Sequence, residues 1–217
     1  MTDASMTRLR DAPYHEEIAR RPSRGRHLLA QHDEATVTVY QAYRPSIAEH
    51  AVAHQRFGGD FDFGRMSWIK PSFLWMMFRC GWGTKKDQER VLAIRIHRPY
   101  FDGLLARVVP SAWDRSVHAT REEWTLASRG CDIRMQWDPD HAPGGAPIER
   151  RTIQLGLRGA ALAGFAGDAI DSIEDVTPFV VAQREHRSDP ERLAIPIEEA
   201  YPVTHPLVRT RLALSQP

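Results

Sequence analysis

Lys70 and Arg79 stand inside Met66-Ser67-Trp68-Ile69-Lys70-Pro71-Ser72-Phe73-Leu74-Trp75-Met76-Met77-Phe78-Arg79-Cys80-Gly81-Trp82. Cations among such large apolar side chains bury only if they find partners or reach water. Aromatic surface with few, well-placed polar groups is the make-up of a ligand-pocket wall. It is equally the make-up of a core helix. Three glutamines interrupt apolar strands elsewhere: Gln41 between Tyr40 and Tyr43, Gln136 beside Trp137, and Gln154 within Ile153 to Leu157. Taken singly, each reads as the solvent side of a half-buried strand. Taken with Lys70, Ser72 and Arg79, they form a set that would suit a polar, anionic ligand if the fold brought them together. Arg150-Arg151 would add charge suited to phosphate. Asp138, before Pro139, is the best-placed acid, and its plainer role is to form a turn.

Other chemistry is weaker. The ten histidines are scattered, and only His50 and His54 share a helix face, without the Glu that would complete HExxH. No metal is expected. Cys80 beside Arg79 has a cation to lower its pKa, but a small core-filling thiol is the simpler reading. No GxSxG, GxGxxG or Walker A sequence is present. Glu122-Glu123 and Glu198-Glu199 read as capping and surface charges.

The elements that must position these residues follow from pattern. Ala35 to Tyr43 alternates and is β-branched, hence a strand. Pro45-Ser46 opens a helix with Ile47, Ala51 and Val52 on one face. Lys70-Pro71 forces Ser67-Trp68-Ile69 to be extended. A helix then runs from Pro71 or Ser72 to Arg79 and stops at Gly81. This corner places Lys70 and Ser72 at a helix N-terminus, where backbone N–H groups favour an anion. Arg90 to Ile96 is a strand, Pro99 to Ala106 a short helix, and Thr120 to Glu123 a capping box. Strands are expected over Ile133 to Pro139 and Thr152 to Leu157, and helices over Arg158 to Ala169 and Phe179 to Arg184. The order is not a regular βαβ repeat, so the class is α+β.

A chain of 217 residues, 42% hydrophobic and 26% charged, suits one soluble globular domain. A net charge of +1 gives no bulk attraction to nucleic acid or anionic membrane. With no apolar leader, no long apolar run and two separated cysteines, a cytoplasmic protein is expected. The domain is expected over 27–187, between a polar Arg-rich arm, 1–26, and a Pro-rich extended arm, 188–217, packed on the surface or on a partner.

Val39-Tyr40-Gln41-Ala42-Tyr43, the Ser67 to Met77 box with Arg79 and Gly81-Trp82, Gln136-Trp137-Asp138-Pro139, and Arg151 to Leu157 together resemble a bacterial and fungal domain-of-unknown-function family (four-two-nine-one). The resemblance runs in order over roughly residues 25 to 187. It implies membership and brings no activity. The order of elements from Val37 to Ile96 is also similar to the ADP-ribosyltransferase superfamily. That resemblance implies a split, mostly antiparallel sheet core that clamps NAD. Tyr40 or Gln41 would then face the nicotinamide ribose, and Trp68 or Ser72 would stack on nicotinamide. Gln154 would stand where that superfamily usually has a Glu, and an amide is no base.

The leading expectation is an α+β domain, similar to ADP-ribosyltransferases, that binds NAD or a related nucleotide and transfers ADP-ribose to an acceptor. Lys70, Arg79 and Arg151 would hold phosphates, and Trp68 and Tyr43 would stack a ring. Tyr40, Ser72 and Gln136 would complete the binding surface. Gln41, Gln154 and Asp138 would orient ribose or the acceptor. The alternative is a non-catalytic module that binds single-stranded nucleic acid on its aromatic residues, or a protein partner.

Overall fold

The computed structural model describes residues 9–215, which form a mixed α+β fold with eight α-helices among those residues. The chain opens with β1 (Asp11–Pro13), α1 (Tyr14–Arg20), β2 (Gly25–Arg26) and β3 (Leu29–Ala30). The alternating run becomes β4 (Thr36–Tyr43), and α2 (Pro45–His54) begins at its proline, whose missing N–H would have no intrahelical partner there. Lys70-Pro71 divides the Trp-rich box into β5 (Ser67–Ile69) and α3 (Phe73–Cys80). Gly81, at φ 60°, supplies the left-handed stop for α3. Then come β6 (Arg90–His97), α4 (Arg98–Leu105), β7 (Val109–Pro110) and α5 (Arg121–Ser128). The capping box of Thr120 and Glu123 starts α5.

The next elements depart from the sequence reading. β8 (Ile133–His141) does not stop at Pro139, which pairs with Arg151 before a bulge carries the strand on to His141. A bulge is where a sheet tolerates a proline without an N–H. Its partner β9 (Pro147–Leu157) starts earlier than Thr152, so the Gly-rich loop is a short hairpin turn. Helix α6 (Gly159–Phe165) is shorter than Arg158 to Ala169. A further strand, β10 (Ile170–Asp175), then precedes α7 (Thr177–Arg184). Its polar composition, expected of an edge strand, hid it. The chain closes with β11 (Ala194–Pro196), β12 (Glu199–Ala200) and α8 (Pro206–Leu212).

Two main sheets result. One is antiparallel, in the order β10-β6-β4. The other joins β5, β9 and β8 antiparallel, with β2 and β7 added parallel at its edges. They touch where Tyr40 N–H donates to the Lys70 carbonyl at 2.7 Å and Lys70 N–H donates to the Tyr40 carbonyl at 3.3 Å. Val37, Val39 and Ile94 of the first sheet share one apolar core with Ile69, Met135, Ile153 and Leu155 of the second. The opposite face of the first sheet, with Tyr40, Val91 and Ala93, packs on Phe73, Met77 and Cys80 of α3. The described parts of both expected arms join this body, β1 pairing with β11 and β12 with β3, while residues 1–8 of the first arm and 216–217 of the second lie outside the described residues. Among the described residues, no helix is long and apolar enough to cross a membrane.

Candidate functional site

A cleft of about 690 Å³ opens beside the junction of the two sheets. Gln41, Tyr43, Trp68, Lys70, Arg79, Gln136 and Gln154 all line it. Gln136 and Gln154, on the side of their strands away from the core, therefore share one surface with residues of β4, β5 and α3. On β8 and β9, odd-numbered Met135, Trp137, Ile153 and Leu155 enter the core. Even-numbered Gln136 and Gln154 sit directly opposite each other on the other face. On β4, Gln41 and Tyr43 share the face of Val37 and Val39 at the end where that face leaves the core.

Lys70 lies at the bottom. Its side chain is buried, and Nζ donates to the Trp68 carbonyl at 3.2 Å. No ion pair to it is present among the described residues. Burial and the neighbouring Arg79 guanidinium lower its pKa to about 8, against a smaller opposing pull from Asp138. Asp138 is instead held by two amides. Oδ1 accepts from Gln136 Nε2 at 2.8 Å and Oδ2 from Gln154 Nε2 at 2.7 Å. A carboxylate only accepts, so both amides must turn their NH2 groups toward it. Their carbonyl oxygens are thereby left as acceptors for hydroxyl or amide donors.

The wall above Lys70 is a second small network. Gln41 Nε2 donates to Ser67 Oγ at 2.7 Å and to the Trp68 carbonyl at 3.1 Å. Tyr43 shares a hydrogen bond with the same Ser67 oxygen at 3.1 Å. Burial holds the Tyr43 phenol above its ordinary pKa, so it stays neutral. Trp68 lies across Gly156, its cross-strand partner. A Cβ on Gly156 would meet the indole at 2.9 Å and Met66 Sδ at 2.7 Å, so only glycine fits beneath them.

Helix α3 supplies Met76 and Arg79 from one face. Its other faces are fixed: Trp75 and Phe78 stack with His141, and Phe73, Met77 and Cys80 enter the second core. Trp82, held at φ 56°, donates from Nε1 to the Pro143 carbonyl at 3.1 Å and ties the helix end to the β8–β9 hairpin. Arg79 is exposed, with no hydrogen-bond or ion-pair partner for its guanidinium among the described residues.

Other sequence candidates lie elsewhere. Tyr40 is fully buried on the opposite face of β4, against Phe73. The two-residue period of the strand separates it from Gln41 and from any ligand in the cleft. Ser72 is buried at the start of α3, with Oγ unpartnered. Arg151 donates to the Trp137 carbonyl at 2.8 Å and does not line the cleft. Its neighbour Arg150 is buried against Asp140 at 2.7 Å. The anion at the N-terminus of α3 is the chain's own: Phe73 N–H donates to Glu198 Oε1 at 2.6 Å. Glu198 is therefore a buried cap, not a surface charge. Glu198 also pairs with Arg21 at 2.9 Å, and Arg21 with Glu17 at 3.2 Å. Cys80 is buried, which raises its thiol pKa. Among the described residues no group of three His, Cys, Asp or Glu could hold a metal ion.

Sequence reasoning passed over Ser67 and the rim formed by Arg44, Asp60, Asp62 and Arg65. The rim had one legible signal, alternating charges in the Gly-rich stretch before β5. Ser67 had none, because its role depends on β4 lying alongside.

The family described as Domain of unknown function (DUF4291) matches residues 27–201. No curated protein matches the chain.

Proposed function

For this chain, which belongs to the DUF4291 family, we propose that the cleft binds a nucleotide through its phosphate groups. The observation that carries the reading is Lys70: a buried ammonium that lines the cleft with one carbonyl partner and no ion pair among the described residues. An anionic ligand supplies the charge the site lacks. Arg79 would hold a second phosphate oxygen. The Gln136 and Gln154 carbonyl oxygens would accept from ribose hydroxyls, and the Trp68 indole offers a face for a ring. NAD and nucleoside phosphates are the first compounds to try. The meeting of two largely antiparallel sheets at Tyr40 and Lys70 supports an ADP-ribosyltransferase-like frame. Transfer of ADP-ribose to a hydroxyl would need a base in the cleft, and Asp138, held by Gln136 and Gln154, does not line it. Binding is therefore the part of the reading with geometric support.

The test is a thermal melt of the full chain with millimolar NAD or ATP. A ligand at a hundredfold excess over Kd adds about 3 kcal/mol, which raises Tm by several degrees in a chain of this size. Arg79→Ala should shrink the shift without changing the unliganded Tm. No shift with any nucleotide would remove the proposal.

A further inference from the structure

Lys70 has a feature that holding a phosphate does not require. A purely electrostatic lysine works best fully charged, on a flexible stem in water. Lys70 is instead enclosed, hydrogen-bonded once, and acted on more strongly by the Arg79 guanidinium than by the Asp138 carboxylate. These are the conditions that activate an amine as a nucleophile. The surrounding acid–base chemistry agrees. A hydroxyl nucleophile needs a base to take its proton, and Asp138, the carboxylate that acts on Lys70, is held by Gln136 and Gln154 and does not line the cleft. The neutral form of an amine needs none. Lys70 shares the cleft with Arg79, whose guanidinium suits phosphate oxygens, and this selects phosphorus as the electrophile.

We infer that Lys70 Nζ is a covalent nucleophile that takes the nucleotidyl group of a nucleoside triphosphate, an inference that rests on the cleft being a nucleotide site. The Nζ lone pair attacks the α-phosphorus, and an N–P bond forms. The bond from that phosphorus to the bridging oxygen breaks, and pyrophosphate leaves with the electron pair. The nitrogen then sheds a proton to solvent, leaving a phosphoramidate on Lys70. Arg79 offsets the charge on the non-bridging oxygens as phosphorus becomes five-coordinate. With its pKa at about 8, a useful share of Lys70 is neutral near physiological pH.

The experiment incubates the full chain with magnesium and ATP labelled at the α- or the γ-phosphate. The protein is then denatured, its bound label counted and its intact mass measured. The expected result is one adenylate per chain from α-labelled ATP and none from γ-labelled ATP. The adduct should survive alkali, be released by acid, and be absent from Lys70→Arg and Lys70→Met. Labelling should rise as pH climbs through about 8. Wild-type protein whose Tm rises with ATP but which takes no label would overturn the covalent step and leave nucleotide binding standing. Label that persists in Lys70→Met would do the same, and so would an adduct of ADP-ribose mass formed from NAD. Absence of both label and thermal shift would overturn this inference together with the reading beneath it.

Discussion

Lys70 should cost the folded chain stability. Its folded pKa is lowered from 10.5 to about 8, so the folded state binds that proton less tightly than the unfolded state. Between those two values the unfolded state carries more protons, and stability rises with pH; below about 8 the full penalty of a buried ammonium is present. Lys70→Met keeps the volume and removes the charge. At pH 7 it should leave Tm unchanged or raise it by a few degrees, at roughly 2–4 °C per kcal/mol, while abolishing the nucleotide-induced shift. A stabilising change that removes binding is what a functional residue gives and a structural one does not. Glu198 has the opposite sign. Burial raises its pKa from 4.5 to about 7, against the pull of Arg21. Its contribution is full below 4.5 and is lost as pH rises through about 7. Glu17 pairs with Arg20 and Arg21, Glu198 with Arg21, and Asp140 with Arg150, and within this network burial favours the protonated form of Glu198. Glu198→Gln should accordingly cost only about 1 kcal/mol at neutral pH and flatten the loss between pH 5 and 7. Arg21→Ala leaves the buried Glu198 carboxyl without its guanidinium and should cost about 3–5 kcal/mol, read by denaturant melts at pH 7.

At the scale of elements, α3 and β5 hold the cleft because each is pinned on its far side. Gly156 lets the Trp68 indole lie flat on β9. Gly156→Val puts carbon where Trp68 and Met66 sit. It should destabilise the chain by about 1–3 kcal/mol and weaken nucleotide binding more than that, measured by melting and titration. Trp82→Ala removes the tie between α3 and the hairpin and should cost about 3–5 kcal/mol. These elements differ in how much the sequence disclosed. The Lys70-Pro71 break, the Gly81 stop and the Thr120 box are local rules, and the structure follows them. That the glutamines share one cleft was not legible, because a two-residue period fixes sides only within a strand and their meeting depends on the β8–β9 register and on two sheets joining. Which side Tyr40 would take was not legible either, because β4 is covered on both faces and an aromatic beside a glutamine fits either. Pro139 misled because a bulge depends on the partner strand. The identity of the anion over α3 was hidden because Glu198 lies more than a hundred residues away in sequence.

At the scale of the whole molecule, the cleft exists because two sheets meet at a single pair, Tyr40 and Lys70, and separate on one side of it. Both ends of the chain hold that junction: Glu198 caps α3, Arg21 binds Glu198, and the Trp137 indole donates to the Leu212 carbonyl at 2.9 Å. Composition gave no hint of this, because contacts so far apart in sequence leave no local pattern. A chain cut before Leu193 loses β11, β12 and α8 with buried Ile195, Tyr201 and Leu212, and it should fail to show a cooperative melt. The most direct test of the central claim is titration of ATP or NAD by calorimetry into wild type, Lys70→Met and Arg79→Ala, each first shown to melt cooperatively. The structure predicts saturable binding to wild type, weaker binding to Arg79→Ala, and none to a Lys70→Met protein at least as stable as wild type. Equal binding to all three, or none to wild type at millimolar ligand, would contradict it.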